Sequence, residues 1–244
     1  MDAPDVPEDV TGALLDRSVR GRLRTLSKDN AEDVARHLVM VGSLLDLDPE
    51  LAYQHAQVAV ARGGRVDVVR EANALAAYAT GRYAEALREF RTVRRLNGSN
   101  EHLPLMADCE RGMGRPERAI DLARSPEASD LGPRGTVELE IVVAGARVDM
   151  GDPAAALVSL RRLETADAQL RARIDAATVT ALRALDRHDE ADELEARVPS
   201  SEVEPDLDFD ITVYDVAELP EPVAEPDPAS PDPATSDDAP EARS

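Results

Sequence analysis

Apolar residues recur every three or four positions through most of the chain, which is the spacing of amphipathic α-helices. The clearest example flanks Gly81, where one apolar stripe precedes the glycine and a second follows it. The first stripe comprises Val68, Val69, Ala72, Leu75, Ala76 and Ala79, and the second comprises Ala86, Leu87, Phe90, Val93 and Leu96. The pattern predicts two antiparallel helices of about 12–14 residues each, joined by a turn.

The same turn recurs along the chain. Clear copies span 81–87, 114–120 and 151–157, and weaker copies span 47–53 and 186–192. Successive copies are 34, 33, 37 and 35 residues apart. One helix pair cannot bury its apolar faces alone, so a period of this length predicts that neighbouring pairs stack into a solenoid.

These turns resemble those of the tetratricopeptide repeat family. Gly81, Tyr83, Ala86 and Phe90 match the family's turn glycine, the aromatic residue after it and its Ala-x-x-x-Phe motif. The resemblance covers about residues 30–198, although the family's Trp is absent and its closing Pro is missing. The chain resembles, in particular, uncharacterised repeat proteins of GC-rich bacteria. The repeat-packing positions that it implies are Ala52, Ala74, Gly81, Tyr83, Ala86, Phe90, Ala107, Gly114, Ala119, Ala144, Gly151, Ala156 and Ala191.

The fold class expected is therefore all-α, an α-solenoid of about five helix pairs. The chain is expected to begin with a disordered N-terminus at 1–10. A capping helix at 11–29 follows, which carries leucine and valine residues at helical spacing. A repeat domain follows at 30–198 and a disordered acidic tail at 199–244. Within the third repeat, Ser125-Pro126 is expected to shorten the second helix.

The tail is distinguished by its charge. Residues 199–244 contain fourteen acidic residues and one basic residue, so they carry -13 of the formal net charge of -21. They also contain nine of the seventeen prolines. A segment of this composition cannot bury enough apolar surface to fold, which predicts disorder.

One stretch of the tail, 207–219, alternates apolar and polar residues in the manner of a strand. It is either an accidental apolar cluster in a disordered segment or a short linear motif. Such a motif would dock on a partner or in the chain's own groove.

The sequence offers few residues for catalysis or for metal binding. Cys109 is the only cysteine, which excludes an intrachain disulfide and a zinc site built on cysteines. The four histidines are not spaced three or four residues apart, and no phosphate loop or nucleophile elbow occurs. These features predict a protein that is not an enzyme and has no cofactor or metal.

No apolar run approaches the ~20 residues that span a bilayer, and the acidic start does not resemble a signal peptide. A cytoplasmic protein without membrane contact is therefore expected.

The family resemblance also implies a binding face. In tetratricopeptide proteins the first helix of each pair lines a concave groove where peptides dock. The corresponding positions here are His37, Val41, Leu44, Glu71, Leu75, Tyr78, Asp108, Arg111, Ile141, Val148, Thr180 and Arg183. His37, Glu71 and Ile141 stand where a clamp for a partner's terminal carboxylate would need basic residues, which argues against that mode.

The leading functional hypothesis is an interaction scaffold that binds a segment of another protein in this groove. The alternative is an RNA- or ribosome-associated factor that uses the arginine clusters at 17–24 and 91–95. The net negative charge argues against nucleic acid, and arginines near a helix C-terminus also stabilise the helix. A third hypothesis, an enzyme built from scattered residues, requires a deep pocket with converging titratable groups.

Overall fold

The computed structural model describes residues 3–197, and every regular element within that range is helical. This confirms the all-helical prediction for the described residues, among which there is no strand. Eleven α-helices follow in order: α1 Arg17–Arg22, α2 Lys28–Leu44, α3 Pro49–Gly63, α4 Asp67–Ala79, α5 Tyr83–Asn97, α6 Leu103–Gly112, α7 Pro116–Ala123, α8 Pro133–Asp149, α9 Pro153–Leu160, α10 Ala168–Arg183 and α11 His188–Glu195.

Helices α2 to α11 pack as five consecutive pairs, each joined by a short connection, as in an αα-hairpin. The second helix of each pair also contacts the first helix of the next pair. In addition, α6 packs on α8 and α8 packs on α10, so first helices of successive pairs lie side by side in the C-terminal half.

Four of the five turns within pairs share one backbone arrangement. Gly81, Gly114 and Gly151 have φ values of 71°, 72° and 80°, and Asp186 has 60° in the equivalent place. This left-handed conformation is nearly free of strain only for glycine. In each turn the next N–H donates to a carbonyl five residues back, over 2.8–3.0 Å: Arg82 to Ala77, Arg115 to Glu110, Asp152 to Arg147 and Arg187 to Leu182. These bonds satisfy helix carbonyls that would otherwise lack partners.

Aspartate and proline begin several of the helices. Asp48, Asp152 and Asp167 each accept a hydrogen bond from the backbone N–H three residues ahead. Pro49 and Pro153 follow two of these caps at the first helical position, where the missing N–H has no cost. The helix boundaries are therefore set by local chemistry.

Small side chains dominate the interfaces between helices. Nine of the predicted packing positions are at most 1% exposed: Ala52, Ala74, Ala86, Phe90, Ala107, Ala119, Ala144, Ala156 and Ala191. The buried apolar residues form three neighbouring clusters that follow the order of the chain. Alanine at these positions allows the helix backbones to approach closely.

Tyr83 packs against the backbone of α6 at Gly112. A Cβ placed on Gly112 would lie 2.5 Å from Cε2 of the Tyr83 ring, which is closer than real contacts allow. The same ring meets Tyr78 edge-on, with ring centroids 5.8 Å apart. The aromatic residue after the turn glycine thus joins one helix pair to the next, and it requires a glycine opposite.

The N-terminal region differs from the single capping helix expected at 11–29. It consists of a 3₁₀ turn at Gly12–Leu14, helix α1 and a second 3₁₀ turn at Leu23–Thr25. The backbone is extended at Leu15, and Asp16 caps a new helix by accepting from the Ser18 N–H. The break lets Leu14, Leu15, Val19 and Leu23 all reach the same core cluster.

Residues 6–10, for which the sequence predicts disorder, are held against α2. The Arg36 guanidinium donates to the carbonyls of Val6, Pro7 and Val10 over 3.2, 2.8 and 2.7 Å. Val10 also packs against the first core cluster. Composition did not reveal this attachment, because the arginine lies 26–30 residues away in sequence.

The irregular third pair follows the prediction. Helix α7 ends at Ala123, and a 3₁₀ turn at Pro126–Asp130 leads to α8. The disordered tail predicted at 199–244, with its motif at 207–219, lies outside the described residues. Among the helices described, none is both long enough and apolar enough to cross a membrane.

Replacing Gly112 with alanine tests the contact with Tyr83. The new methyl group must displace a rigid ring, so we expect a loss of about 1–3 kcal/mol in the free energy of unfolding, measured with urea. Gly21→Ala in α1 is the matched control, because its Cβ meets nothing within 4 Å. We expect that variant to be neutral or stabilised by up to about 1 kcal/mol. Equal effects of the two substitutions would contradict the assigned contact.

Candidate functional site

A cleft of about 710 Å³ lies along helices α4, α6, α8 and α10. These are the first helices of four successive pairs. Its apolar lining includes Leu75, Leu105, Leu131, Ile141 and Val142. A volume of this size is typical of sites that bind a small molecule or a few side chains.

Helical spacing explains why α8 contributes most of one wall. Glu138, Ile141, Val142, Gly145 and Val148 all line the cleft and are spaced three or four residues apart. Residues at that spacing lie on one face of a helix. The face is apolar in its centre and polar at its N-terminal end.

Tyr78, Asp108 and Arg111 form a hydrogen-bonded chain across α4 and α6. The Tyr78 hydroxyl donates to Oδ2 of Asp108 over 2.5 Å, and Nε of Arg111 donates to Oδ1 over 2.9 Å. Nη1 of Arg111 also lies 3.6 Å from a carboxylate oxygen of Asp149 at the end of α8. This chain links three first helices.

The surroundings of these three residues shift the pKa of both hydrogen-bond donors, Tyr78 and Arg111. Burial, and then the Asp108 charge, raise the pKa of Tyr78 above its usual range. Burial lowers the pKa of Arg111, but the charge of Asp108 and its hydrogen bond outweigh that effect and raise it overall. Tyr78 therefore stays protonated and Arg111 stays charged at neutral pH.

Gly145 provides the space that Arg111 occupies. A Cβ on Gly145 would lie 2.7 Å from Nη1 of Arg111. The guanidinium thus rests directly on the backbone of α8, and both residues line the cleft.

A second polar contact across α4 and α6 joins Glu71 and His102. Nε2 of His102 lies 3.0 Å from Oε1 of Glu71, and the imidazole stacks on Phe90 with centroids 5.1 Å apart. His102 is 9% exposed, so its ring is fixed by the core on one side and by the carboxylate on the other.

Two ion pairs join α8 to α10 at the opposite wall. Arg173 of α10 donates to Glu138 of α8. Arg134 of α8 donates to Asp167, the N-cap residue of α10, over 2.6 Å. Each of these charges therefore also holds neighbouring helix pairs together.

The charges that line the cleft nearly balance. Three guanidinium groups, from Arg111, Arg134 and Arg173, face the four carboxylates of Glu71, Glu101, Asp108 and Glu138. Each of the three arginines contacts at least one carboxylate. The cleft thus presents an apolar floor with positioned polar groups and no strong net field.

Cys109 of α6 does not line the cleft. It is fully buried, and burial, followed by the charges of Asp108 and Glu110, raises the pKa of its thiol to about 12. Only the thiolate is a competent nucleophile, so Cys109 is inert at neutral pH. Among residues 3–197 no three histidine, cysteine or carboxylate side chains are grouped as metal ligands.

No protein-family model matches this chain, and no curated protein matches it. Its function is therefore inferred from the geometry of the cleft.

Eight of the twelve predicted groove residues line the cleft together. They are Glu71, Leu75, Tyr78, Asp108, Arg111, Ile141, Val148 and Thr180. They come from four different helices, and stacking of the pairs brings them to one surface.

The other four predicted groove residues lie elsewhere. Val41 is fully buried and His37 is 8% exposed, because α2 is covered by α3, α4 and the N-terminal 3₁₀ turns. Leu44 packs against the first core cluster. Arg183 turns instead to α11, where it pairs with Glu195 at 2.6 Å. All four belong to the first or last pair, where the neighbours differ from those of an internal repeat.

The sequence reasoning missed several lining residues, among them His102, Leu105, Arg134, Glu138, Val142 and Arg173. Helical periodicity on α8 could have found Glu138 and Arg134, which lie one and two turns before Ile141. Nothing local distinguishes His102 or Arg173, because their partners are 31 and 35 residues away.

His37 forms a buried pair with His55 of α3, with 2.9 Å between the two Nδ1 atoms. One ring must donate and the other accept, so both cannot be protonated. Burial, then Arg62 and Arg36 against the opposing charge of Asp33, lowers the pKa of His37. Burial, then His37, lowers the pKa of His55 to about 4.

We expect this pair to weaken the fold as the solution is acidified. The folded-state pKa of His55 lies below the unfolded value, so the unfolded chain binds more protons between about pH 6.5 and about pH 4. The free energy of unfolding should therefore fall through that window, with His55 contributing at most about 3 kcal/mol.

Urea unfolding across that pH range measures the effect. The double variant His37→Asn/His55→Asn should lose this part of the pH dependence, because an amide replaces Nδ1 without titrating. His188→Asn is the control, since the His188 side chain is 64% exposed. An unchanged pH slope in the double variant would show that the pair does not titrate as described.

Removing the Tyr78 hydroxyl tests the hydrogen bonds that join Tyr78, Asp108 and Arg111. Tyr78→Phe leaves the Asp108 carboxylate without one donor, so we expect a loss of about 1–3 kcal/mol in the free energy of unfolding. Tyr53→Phe breaks a similar bond to Glu85, of 2.9 Å, in a less buried place. It should cost less, and an equal or larger loss from Tyr53→Phe would contradict the assigned role of Tyr78.

Proposed function

We propose that this chain is a scaffold of the tetratricopeptide type, an α-solenoid that binds a segment of another protein in its cleft. The observation that carries the proposal is the cleft itself, which the first helices of four successive pairs line together. In repeat proteins of this kind, function resides in such an extended concave surface. A cytoplasmic location is part of the proposal.

The repeated polar contacts support the solenoid. Among residues 3–197, eight side-chain pairs join residues that are 30 to 35 positions apart, which is about one repeat length. They are Glu50–Arg82, Tyr53–Glu85, Glu71–His102, Tyr78–Asp108, Arg94–Glu127, Asn100–Asp130, Arg134–Asp167 and Glu138–Arg173. Contacts at such similar separations are expected when each unit stacks on the next in one regular manner.

The chemistry of the cleft indicates the kind of segment that it accepts. An apolar floor from Leu105, Ile141 and Val142 favours one or more apolar side chains. The surrounding charges are paired, so they would orient polar groups of the segment without selecting a strongly charged one. The titratable groups of the cleft form hydrogen bonds and ion pairs with one another, an arrangement suited to binding a partner.

An RNA-associated function remains the alternative. It would use arginines on α5, of which Arg88, Arg91 and Arg95 are exposed. None of these lines the cleft. Binding to RNA would show the steep salt dependence of counterion release, whereas binding of a neutral peptide would not.

Peptides selected from a random display library against the full chain provide the test. We expect selected peptides to bind the full chain and to bind the cleft-blocking variant Ala176→Arg at least about tenfold more weakly. Ala176 lines the cleft and is not part of a core cluster.

Val158→Arg is the matched control, because Val158 is 53% exposed on α9 and does not line the cleft. It should leave the affinity unchanged, as measured by fluorescence anisotropy. Peptides that bind both variants like the unaltered chain would place recognition outside the cleft and overturn the proposal.

A further inference from the structure

Four arginines of α5 and the arginine that precedes α7 form a basic surface, which we name the α5 patch: Arg88, Arg91, Arg94, Arg95 and Arg115. Two of them approach the same buried carboxylate. Arg91 lies 3.2 Å and Arg115 lies 3.6 Å from the two oxygens of Glu110, which is 3% exposed. This shared carboxylate brings the arginines of α5 close to the start of α7.

The α5 patch has an uncompensated positive charge. Its five guanidinium groups meet only Glu110 and, at 3.9 Å, Glu127, which leaves a local excess of +3. Arg88 and Arg95 have no carboxylate partner among residues 3–197. Residues 1–198 as a whole contain 35 acidic against 27 basic residues, so the patch is a positive area on a negative domain.

The chain itself contains a complementary segment. Glu202, Glu204, Asp206, Asp208 and Asp210 occur at every second position, with no basic residue between them. In an extended backbone alternate side chains point to the same side. An extended segment 202–210 would therefore place five carboxylates on one face.

The spacing of the carboxylates is close to the spacing of the arginines. Successive carboxylates of the segment would be about 6.6–6.8 Å apart. On α5, a rise of about 1.5 Å per residue separates Arg88 from Arg91 by about 4.5 Å and Arg91 from Arg95 by about 6 Å along the axis. Flexible arginine side chains can adjust to this small difference, so three consecutive carboxylates can meet three guanidinium groups.

The segment is also long enough to reach the patch. Helices α5, α6, α8, α10 and α11 pack on one another in that order. At about 8–10 Å per helix contact, α5 and α11 are at most about 40 Å apart. Asp206, Asp208 and Asp210 lie nine, eleven and thirteen residues beyond Arg197, so their extended reach runs from about 30 to about 47 Å.

We infer that segment 202–210 of this chain docks on the α5 patch through its last three carboxylates, Asp206, Asp208 and Asp210. The cleft is the poorer site for it, since four carboxylates there face three arginines. Repulsion from the negative domain is screened beyond about 8 Å at physiological salt, whereas contacts within the patch are not. Docking would cover the arginines and would withhold them from other polyanions, RNA included. The inference does not depend on peptide binding in the cleft.

Paramagnetic broadening in the full chain tests the docking. A nitroxide attached at Thr212→Cys should broaden the amide signals of residues 88–95. Cys109 is fully buried and its thiol pKa is about 12, so it will not take the label. The broadening should vanish at about 1 M salt, where the screening length is about 3 Å. It should also vanish in Arg88→Gln/Arg95→Gln, whose native arginines make no ion pair with any of residues 3–197.

Two variants with equal charge change provide the matched control. The proximal variant replaces the five carboxylates at 202–210 with amides, and the distal variant does the same to Glu225, Asp227, Asp232, Asp237 and Asp238. We expect only the proximal variant to abolish the broadening. Equal loss in both variants would show general charge attraction without a docked segment. Broadening of cleft residues instead of α5 would also overturn the inference.

Binding of a fluorescent oligouridine gives a second readout. We expect the proximal variant to bind it at least about tenfold more tightly than the full chain does, because the α5 patch is then uncovered. The distal variant should bind it like the full chain. Equal affinity of the full chain and the proximal variant would mean that the patch is open to RNA already, and the inference would be wrong.

Discussion

Close approach of helices through small side chains is the constraint on which the rest of this structure depends. Fully buried alanines such as Ala86 and Ala107 let backbones come near one another, and Tyr83 fills the gap at Gly112. Because the pairs stack this tightly, side chains one repeat apart come within hydrogen-bonding distance. The bond from Tyr78 to Asp108 and the contact of His102 with Glu71 both follow from that spacing.

Those interhelical contacts also determine the electrostatics of the cleft and of the α5 patch. In the cleft, Arg111, Arg134 and Arg173 each pair with a carboxylate of their own or a neighbouring helix, so the charges hold helices in place and nearly cancel. On the α5 patch, Arg91 and Arg115 share Glu110 and the excess remains positive. One surface is thus suited to a segment recognised by shape and apolar contact, and the other to an acidic one.

The extent to which the cleft was predictable varies along the chain. The family resemblance gave Leu75, Tyr78, Asp108 and Val148, all of which line the cleft, because the internal turns share one hydrogen-bonded geometry. The resemblance was wrong at His37, which the fold buries against His55. Internal repeats have equivalent neighbours on both sides, whereas the first pair is covered by an irregular N-terminal segment that no repeat rule describes.

The sequence by itself determined the helix pairs from α2 onward, their turns and their period. Glycine turns, aspartate caps and apolar spacing act over about five residues, so these features can be read from the order of the residues alone. Only the tertiary structure decided which charges meet across the cleft, and that Arg36 holds residues 6–10 and His37 lies in the core. Those outcomes depend on contacts between residues about 20 to 35 positions apart. Such contacts form only when whole helix faces pack together.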